Sequence, residues 1–393
     1  MDRPLGFGVF LAPFHAVGQN PTLALHRDLE LIDRLDALGY DEAWIGEHHS
    51  AGVEIIASPE VFIAAAAERT RRIRLGTGVS SLPYHHPLVL ADRMVLLDHL
   101  SRGRVMFGVG PGALPSDAAM LGIAPDRQRA MMAEALEAIL ALLTTDEPVT
   151  YETDWFVLRD ARLQLRPYQH PCFEVAVAAM VSPAGPRLAG RFGTGLLSFG
   201  ATSMGGFDAL GTHWGVLESQ AARFGTVADR RRWRLAAPVH VAETEAQARR
   251  DVEFGLVEWV RYFREVAALP LAPDVEDPRR IVDAMNASGF AVIGTPDMVV
   301  AQVQRLADAS GGFGTFLVMA HEWADREATL RSFELVARDV MPLFQGSATR
   351  AVKARDWAAE NRPSFVRTAG AAVMKAVQDH YAESSAPEAP ARD

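Results

Sequence analysis

The sequence predicts an α/β fold, a (β/α)8 TIM barrel with insertions, and three observations lead there. Eight short apolar runs, bounded by glycine, proline and polar clusters, punctuate residues 7–344. Most of them alternate with segments of helical period, the order expected of parallel βα units. No Gly-x-Gly-x-x-Gly follows the first run, so a doubly wound open sheet is the second choice.

The elements follow in order. Phe7–Leu11 is the first expected strand. Asn20-Pro21 then caps a helix whose Leu25, Leu29, Ile32 and Leu35 share one face and which Gly39 ends. Glu42–Ile45 is strand two, delivering Gly46-Glu47-His48-His49 to a loop. Ser58-Pro59 opens an alanine-rich helix, and Ile73–Val79 is strand three, with interior Gly76 and Gly78. Interior glycine marks either a tight barrel contact or a backbone that a ligand approaches. A helix over Pro87–Leu100 leads to strand four, Val105–Val109, which ends on Gly110-Pro111-Gly112; a helix over Asp126–Leu143 follows.

Residues 148–167 switch to alternation of period two around Tyr151, Trp155, Phe156 and Leu158, which reads as an inserted hairpin. Phe173–Ala178 is strand five, and Ser182-Pro183-Ala184-Gly185 starts its helix. Gly195–Ser198 is strand six, with a helix over Phe207–Phe224, and Arg234–Val241 is strand seven. Glu243-Thr244-Glu245 opens a long helix. Leu269–Pro278 is rich in Pro and Asp without a period, and is expected to be a mobile lid. Pro296 starts a helix that Gly311-Gly312 closes, Thr315–Met319 is strand eight, and the last barrel helix reaches Phe344. Residues 1–346 thus form the expected barrel domain, and 347–393 an extension with one helix, Phe365–Tyr381, and a disordered tail from Ala382.

Composition narrows the function. Lys+Arg 39 against Asp+Glu 49 leaves a formal charge of −10 with no basic block, which argues against nucleic acid. Cys172 is the single cysteine, so neither an internal disulfide nor a cysteine zinc site is possible, and a reducing cytoplasm suits the chain. Neither a signal-peptide pattern nor an apolar run of membrane-spanning length occurs.

Three features carry candidate chemistry. Adjacent His48 and His49 at a strand's carboxyl end could be catalytic, structural or, less readily, metal ligands, since neighbouring strand residues point to opposite faces. No metal site is expected. The helix start at Ser182-Pro183-Ala184-Gly185 presents free amides that suit an anion or serve as an ordinary cap. Gly76-Thr77-Gly78-Val79 is the third. His85-His86 reads as a helix-opening loop, Met131-Met132 as helix packing, and Trp44, Trp155, Trp214 and Trp323 as packing more than pocket lining.

Glu47-His48-His49, Leu82-Pro83 with His86-Pro87 beyond it, and Leu97–Arg104 (LDHLSRGR) together resemble the bacterial luciferase superfamily, above all its limonene-monooxygenase-type flavin-dependent members. The similarity runs from Phe7 to Phe344. It implies reduced FMN, supplied by a separate NAD(P)H:flavin reductase, and dioxygen as co-substrate. The expected reaction oxygenates a small apolar organic molecule by hydroxylation, epoxidation or Baeyer-Villiger insertion, and a homodimer or higher oligomer is expected. It implies that His48 is a base beside the flavin, with Glu47 and His49 in support. It places the flavin against Gly78 and Val79 through a cis peptide, and against Pro111, Gly112, Met180, Val181, Ser182, Ala184 and Gly185, the last group around the phosphate. The luciferase catalytic subunit has a phosphate-binding arginine where this chain has Pro111, so either the backbone amides suffice or a residue such as Arg187 substitutes. The competing expectations are a deazaflavin-dependent hydride-transfer enzyme, a flavin-binding protein without activity, and a metal-dependent hydrolase.

Overall fold

Eight strands close into a parallel barrel in the computed structural model, which describes residues 4–12, 14–180, 182–198, 204–267, 273, 275 and 277–385. They are β1 (Gly6–Leu11), β2 (Glu42–Ile45), β3 (Arg74–Thr77), β4 (Val105–Gly110), β5 (Glu174–Ala179), β6 (Gly195–Ser198), β7 (Trp233–Val241) and β8 (Thr315–Met319). Each pairs in parallel with the next, and β8 returns to β1 with Gly6 opposite Thr315. The closed circle rules out the open sheet.

Every strand is covered on both faces, which is why the sequence shows continuous apolar runs rather than clean alternation. Outward residues such as Val9, Ile45, Leu75 and Val105 join a continuous core with Ile32, Leu35, Ile63, Ala66, Leu90 and Met94 from the surrounding helices. Each buried Leu or Ile contributes about 1.5–3 kcal/mol. The first helix, Pro21–Leu38, starts as expected: the Asn20 side chain accepts the Thr22 and Leu23 amides, and Gly39 ends it at φ 88°. Ser58 occupies the cap of Pro59–Arg69, but its hydroxyl makes no capping bond.

The inward residues form two layers. At the amino end, Arg234 of β7 donates to Glu42 of β2 (2.8 and 3.0 Å) and to Glu174 of β5 (3.0 Å). Arg74 reaches the same two carboxylates at 3.3 and 3.0 Å. Above them the Trp44 indole fills the barrel, its Nε1 donating to Glu42 at 3.0 Å. Neighbouring strands make room for it. A Cβ on Gly76 would lie 2.7 Å from the indole, one on Gly78 2.9 Å from the Trp44 Cβ, and one on Gly108 3.0 Å from the ring. For Gly76 and Gly78 the tight barrel contact is therefore real.

The hairpin insertion is present as Val149–Glu152 paired antiparallel with Val157–Ala161. The expected long helix after Thr244 is instead broken into Glu245–Asp251, a 3-10 turn and Leu256–Glu265. Gly255 is the break: a Cβ there would stand 1.9 Å from the Glu322 carbonyl, and its amide donates to the Trp323 carbonyl at 3.0 Å. Elements not foreseen include helices Pro115–Met120 and Pro278–Ser288, the two-residue strand Ser80–Ser81 beside the end of β4, and the short strand Val292–Gly294, which pairs with the end of β7. Of the expected lid, residues 269–272, 274 and 276 lie outside the described residues, and Pro278 begins a helix.

The chain divides into two compact units, Met1–Gln345 and Gly346–Asp393. In the second, one helix covers Thr349–Ser384 and absorbs Pro363, so it starts well before the expected Phe365 and includes the first residues assigned to the tail. The rest of that tail, 386–393, lies outside the described residues. Among the described residues no helix is long and apolar enough to cross a membrane.

Candidate active site

The carboxyl end of β2 turns out into the loop that holds Glu47, His48 and His49, and two carboxylate hubs organise it. Glu47 is the first. Its buried Oε1 takes His49 Nε2 at 2.9 Å and His85 Nε2 at 2.7 Å, while Oε2 accepts the Ser81 amide at 2.6 Å. Burial alone would push its carboxyl up, but these donors outweigh that and hold it below the usual range. His49 is correspondingly raised, first by its hydrogen bond to Glu47. Here His85 is part of the cluster, which its reading as a helix-opening residue did not anticipate.

The second hub surrounds His48. Its Nδ1 lies 3.1 Å from Asp117 Oδ2, and its Nε2 3.2 Å from Glu54 Oε2. Asp117 sits in the helix Pro115–Met120 and also accepts the His49 amide and the Ser50 hydroxyl, at 3.0 and 2.5 Å. Burial would discharge His48, yet Glu54 and Asp117 more than reverse it and raise its pKa to about 10. The imidazole is thus a cation at neutral pH. The resemblance implies a base at this position, and here both of its ring nitrogens face carboxylates. Neither Glu54 nor Asp117 was singled out from the sequence.

The residues nominated for a cofactor form a contiguous row across neighbouring strand ends. The Gly78-Val79 peptide is cis. A Cβ on Gly110 would lie 2.5 Å from the Val79 side chain and 3.7 Å from Ala178, and one on Gly185 would lie 2.3 Å from the Ala178 carbonyl. Close packing therefore runs along this row, from the residues after β3 to the helix Ala184–Phe192. Ser182 stands one residue ahead of that helix's cap, Pro183, and its hydroxyl accepts the Ala184 amide at 3.3 Å. Gly112, at φ 90°, has no room for a side chain because Tyr84 Oη would lie 2.2 Å from a Cβ. The Tyr84 ring in turn meets His49 edge-on at 5.8 Å, which joins this row to the histidines. The Pro111 carbonyl accepts Gln128 Nε2 at 2.8 Å. Arg187 is exposed one turn into its helix, Met180 packs with the cluster that includes Phe14, Leu114 and Met319, and Val181 lies outside the described residues.

A family model described as luciferase-like monooxygenase matches residues 5–312. The chain belongs to that family. It is 53% identical over 341 residues to limonene 1,2-monooxygenase of Rhodococcus erythropolis, covering 86% of this chain and 87% of that one. It is 49% identical over 365 residues to 4-hydroxyprotoasukamycin monooxygenase of Streptomyces nodosus subsp. asukaensis, covering 92% and 97%. Among solved structures, the oxygenating constituent of 3,6-diketocamphane monooxygenase of Pseudomonas putida, a type II Baeyer-Villiger enzyme in complex with FMN, superposes with a TM-score of 0.71. It is 27% identical, covering 86% of this chain and 98% of that one.

The luciferase-like chain has features that fit a flavin. The row from Val79 through Gly110 to Gly185 packs closely enough that a side chain on either glycine would collide with its neighbours. Two buried polar atoms without a hydrogen-bond partner among the described residues, Ser80 Oγ and Glu54 Oε2, adjoin it and the His48 hub. Buried orphans of this kind are uncommon and mark places where a partner belongs. Among the described residues no group of His, Cys, Asp and Glu is arranged to hold a metal. The tryptophans named from the sequence pack: Trp214 stacks on Trp233, Trp323 on His321, and Trp155 donates to Glu134 at 2.7 Å.

Proposed function

We propose that this protein is a two-component flavin-dependent monooxygenase that takes reduced FMN from a separate NAD(P)H:flavin reductase and uses dioxygen to oxygenate a small apolar molecule. One observation carries the reading: His48, held between Asp117 and Glu54, and the row of glycines beside it converge at the carboxyl end of one barrel. The flavin, when bound, supplies the electrons that activate dioxygen. Gly78, Val79, Gly112 and Met180 would bear on its ring, and Ser182, Ala184 and Gly185 on its phosphate through the start of the helix Ala184–Phe192. Pro111 contributes shape rather than charge. His48 would present Nε2–H to the oxygen that gains electron density, and Glu47 with His49 would keep that loop in place.

Limonene monooxygenase and the diketocamphane enzymes bear names of apolar cyclic substrates, which supports a terpene-like molecule here. The reading also takes the enzyme as a cytoplasmic homodimer or higher oligomer. The test is anaerobic binding of reduced FMN and of reduced deazaflavin, followed by labelled dioxygen and limonene. Tight FMN binding with one labelled oxygen in the product is expected. Preference for the deazaflavin with no oxygen incorporated would point to hydride transfer, and binding without turnover of any terpene tried would point to a flavin carrier.

A further inference from the structure

Tyr262 stands on the inserted helix Leu256–Glu265, far from Glu54 in the chain, yet its hydroxyl donates to Glu54 Oε1 at 3.3 Å. Both residues are buried, at 4% and 8% exposure. The Tyr262 ring meets Phe14 edge-on at 5.6 Å, and Phe14 forms an antiparallel bridge with Glu54, so ring and carboxylate are held from two directions. The other oxygen, Oε2, is the orphan described above. It lies 3.2 Å from His48 Nε2 without meeting the geometry of a hydrogen bond. A buried carboxylate oxygen left in that state is costly, and the facing imidazolium charge is what offsets it here.

The two sides of His48 are therefore unequal. Asp117 is saturated by His48, the His49 amide and Ser50, which fixes Nδ1. Glu54 is tied at one oxygen only and leaves Nε2 with an attractive but loosely directed neighbour. We propose that Glu54 and Tyr262 are positioning residues for His48: Tyr262 anchors one Glu54 oxygen so that the other stays beside Nε2 and holds the imidazole in its charged form. The inference rests on the reading of His48 as the proton-bearing group of the reaction. No proton passes along Tyr262 in this scheme; its hydroxyl holds a geometry.

The charged groups facing His48 come from three places. They are Glu54 on its own loop, Asp117 on the helix Pro115–Met120 and neighbouring His49, whose like charge opposes, with uncharged Tyr262 on the inserted helix reaching His48 only by way of Glu54. Glu47 acts on it only through His49. Without Glu54, one adjacent counter-charge remains, and the imidazole releases its proton at lower pH.

Ring-labelled histidine NMR on the full chain without flavin follows this directly, with His48→Asn assigning the signal. Glu54→Gln is expected to lower the His48 titration midpoint by about 1–3 pH units, the range for loss of an adjacent opposite charge. Tyr262→Phe, which keeps the ring and its packing, lowers it less, and Glu54→Asp restores most of the shift. In turnover with reduced FMN, the alkaline limb of the kcat profile moves down by the same interval in Glu54→Gln while KM changes little. An unmoved His48 midpoint, with activity lost evenly at every pH, would make Glu54 and Tyr262 packing residues and overturn the proposal. A midpoint that moves while the kcat profile does not would leave the positioning chain standing and overturn the role given to His48.

Discussion

Two buried charge clusters sit at opposite ends of the same barrel, and they are built to different ends. At the amino end, Arg234 is sandwiched between Glu42 and Glu174 with Arg74 alongside. Burial works against the Glu174 carboxylate, but the arginines hold it down to about 2. That cluster is built from arginines and glutamates and contains no histidine. At the carboxyl end the central cation is an imidazole between two carboxylates, one oxygen of which lacks a hydrogen bond. Arginine fixes a structure; histidine in nearly the same electrostatic setting leaves a proton that can be used. The ends of a barrel divide labour in this way, stability below and chemistry above.

Breaking the lower cluster is expected to have the largest effect. Arg234→Met strands Glu42 and Glu174 in the interior, and loss of one member of a buried ion pair costs about 3–5 kcal/mol. That is a large share of a domain's whole stability, so urea unfolding should show a collapse of the midpoint or no folded protein. Breaking the upper cluster should show first in turnover. His48→Ala slows turnover with saturating reduced FMN by about 10²–10⁴-fold, while its FMN affinity, measured by anaerobic titration, stays close to that of the wild type. Turnover equal to wild type would remove His48 from the reaction.

Titration sharpens the contrast further. His48 is raised from 6.5 to about 10, so its contribution to stability is complete below pH 6.5 and is lost as pH rises towards 10. Glu174 is lowered from 4.5 to about 2, so its contribution is complete above pH 4.5 and is lost only as pH falls towards 2. The melting-temperature difference between wild type and His48→Asn should therefore shrink steadily between pH 6.5 and 10, a window in which Glu174 stays fully ionised. The smallest effect expected is at the helix start. Ser182→Ala removes a single cap-like bond of about 1 kcal/mol and should weaken FMN by roughly five-fold. It should leave riboflavin, which lacks the phosphate, unaffected; an equal loss for both would detach Ser182 from the phosphate.

The barrel strands were legible because each is an apolar run between turn residues, a signal that survives burial on both faces. Helices with Asn20-Pro21 or Pro296 at the start were equally plain. The helix Pro278–Ser288 was not, although Asp277 caps it through the Arg279 amide and Gly289 ends it. Its polar, arginine-rich opening merged with the Pro/Asp stretch before it. In the site, Glu47, His48 and His49 stood out because they are adjacent. Glu54 and Asp117 did not, since an isolated acidic residue in a loop or a first helical turn is most often solvated, and only closure of the barrel brings them to one imidazole. Tyr262 carried no local signal at all. Its role comes from an inserted helix whose register depends on Gly255 passing close to the Glu322 carbonyl.

Trp44 and the glycines that surround it have a consequence for how such a sequence can change. Alanine at Gly76 or Gly108 collides with an indole or with the Thr77 carbonyl, and a smaller residue at Trp44 opens a void under the reacting end. Positions 44, 76, 78 and 108 therefore behave as one heritable unit spread over β2, β3 with the residues just after it, and β4. Variation sampled one site at a time would find each of them closed, whereas paired changes, a smaller ring with an added methyl, offer a route to reshape the floor of the pocket without touching its histidines.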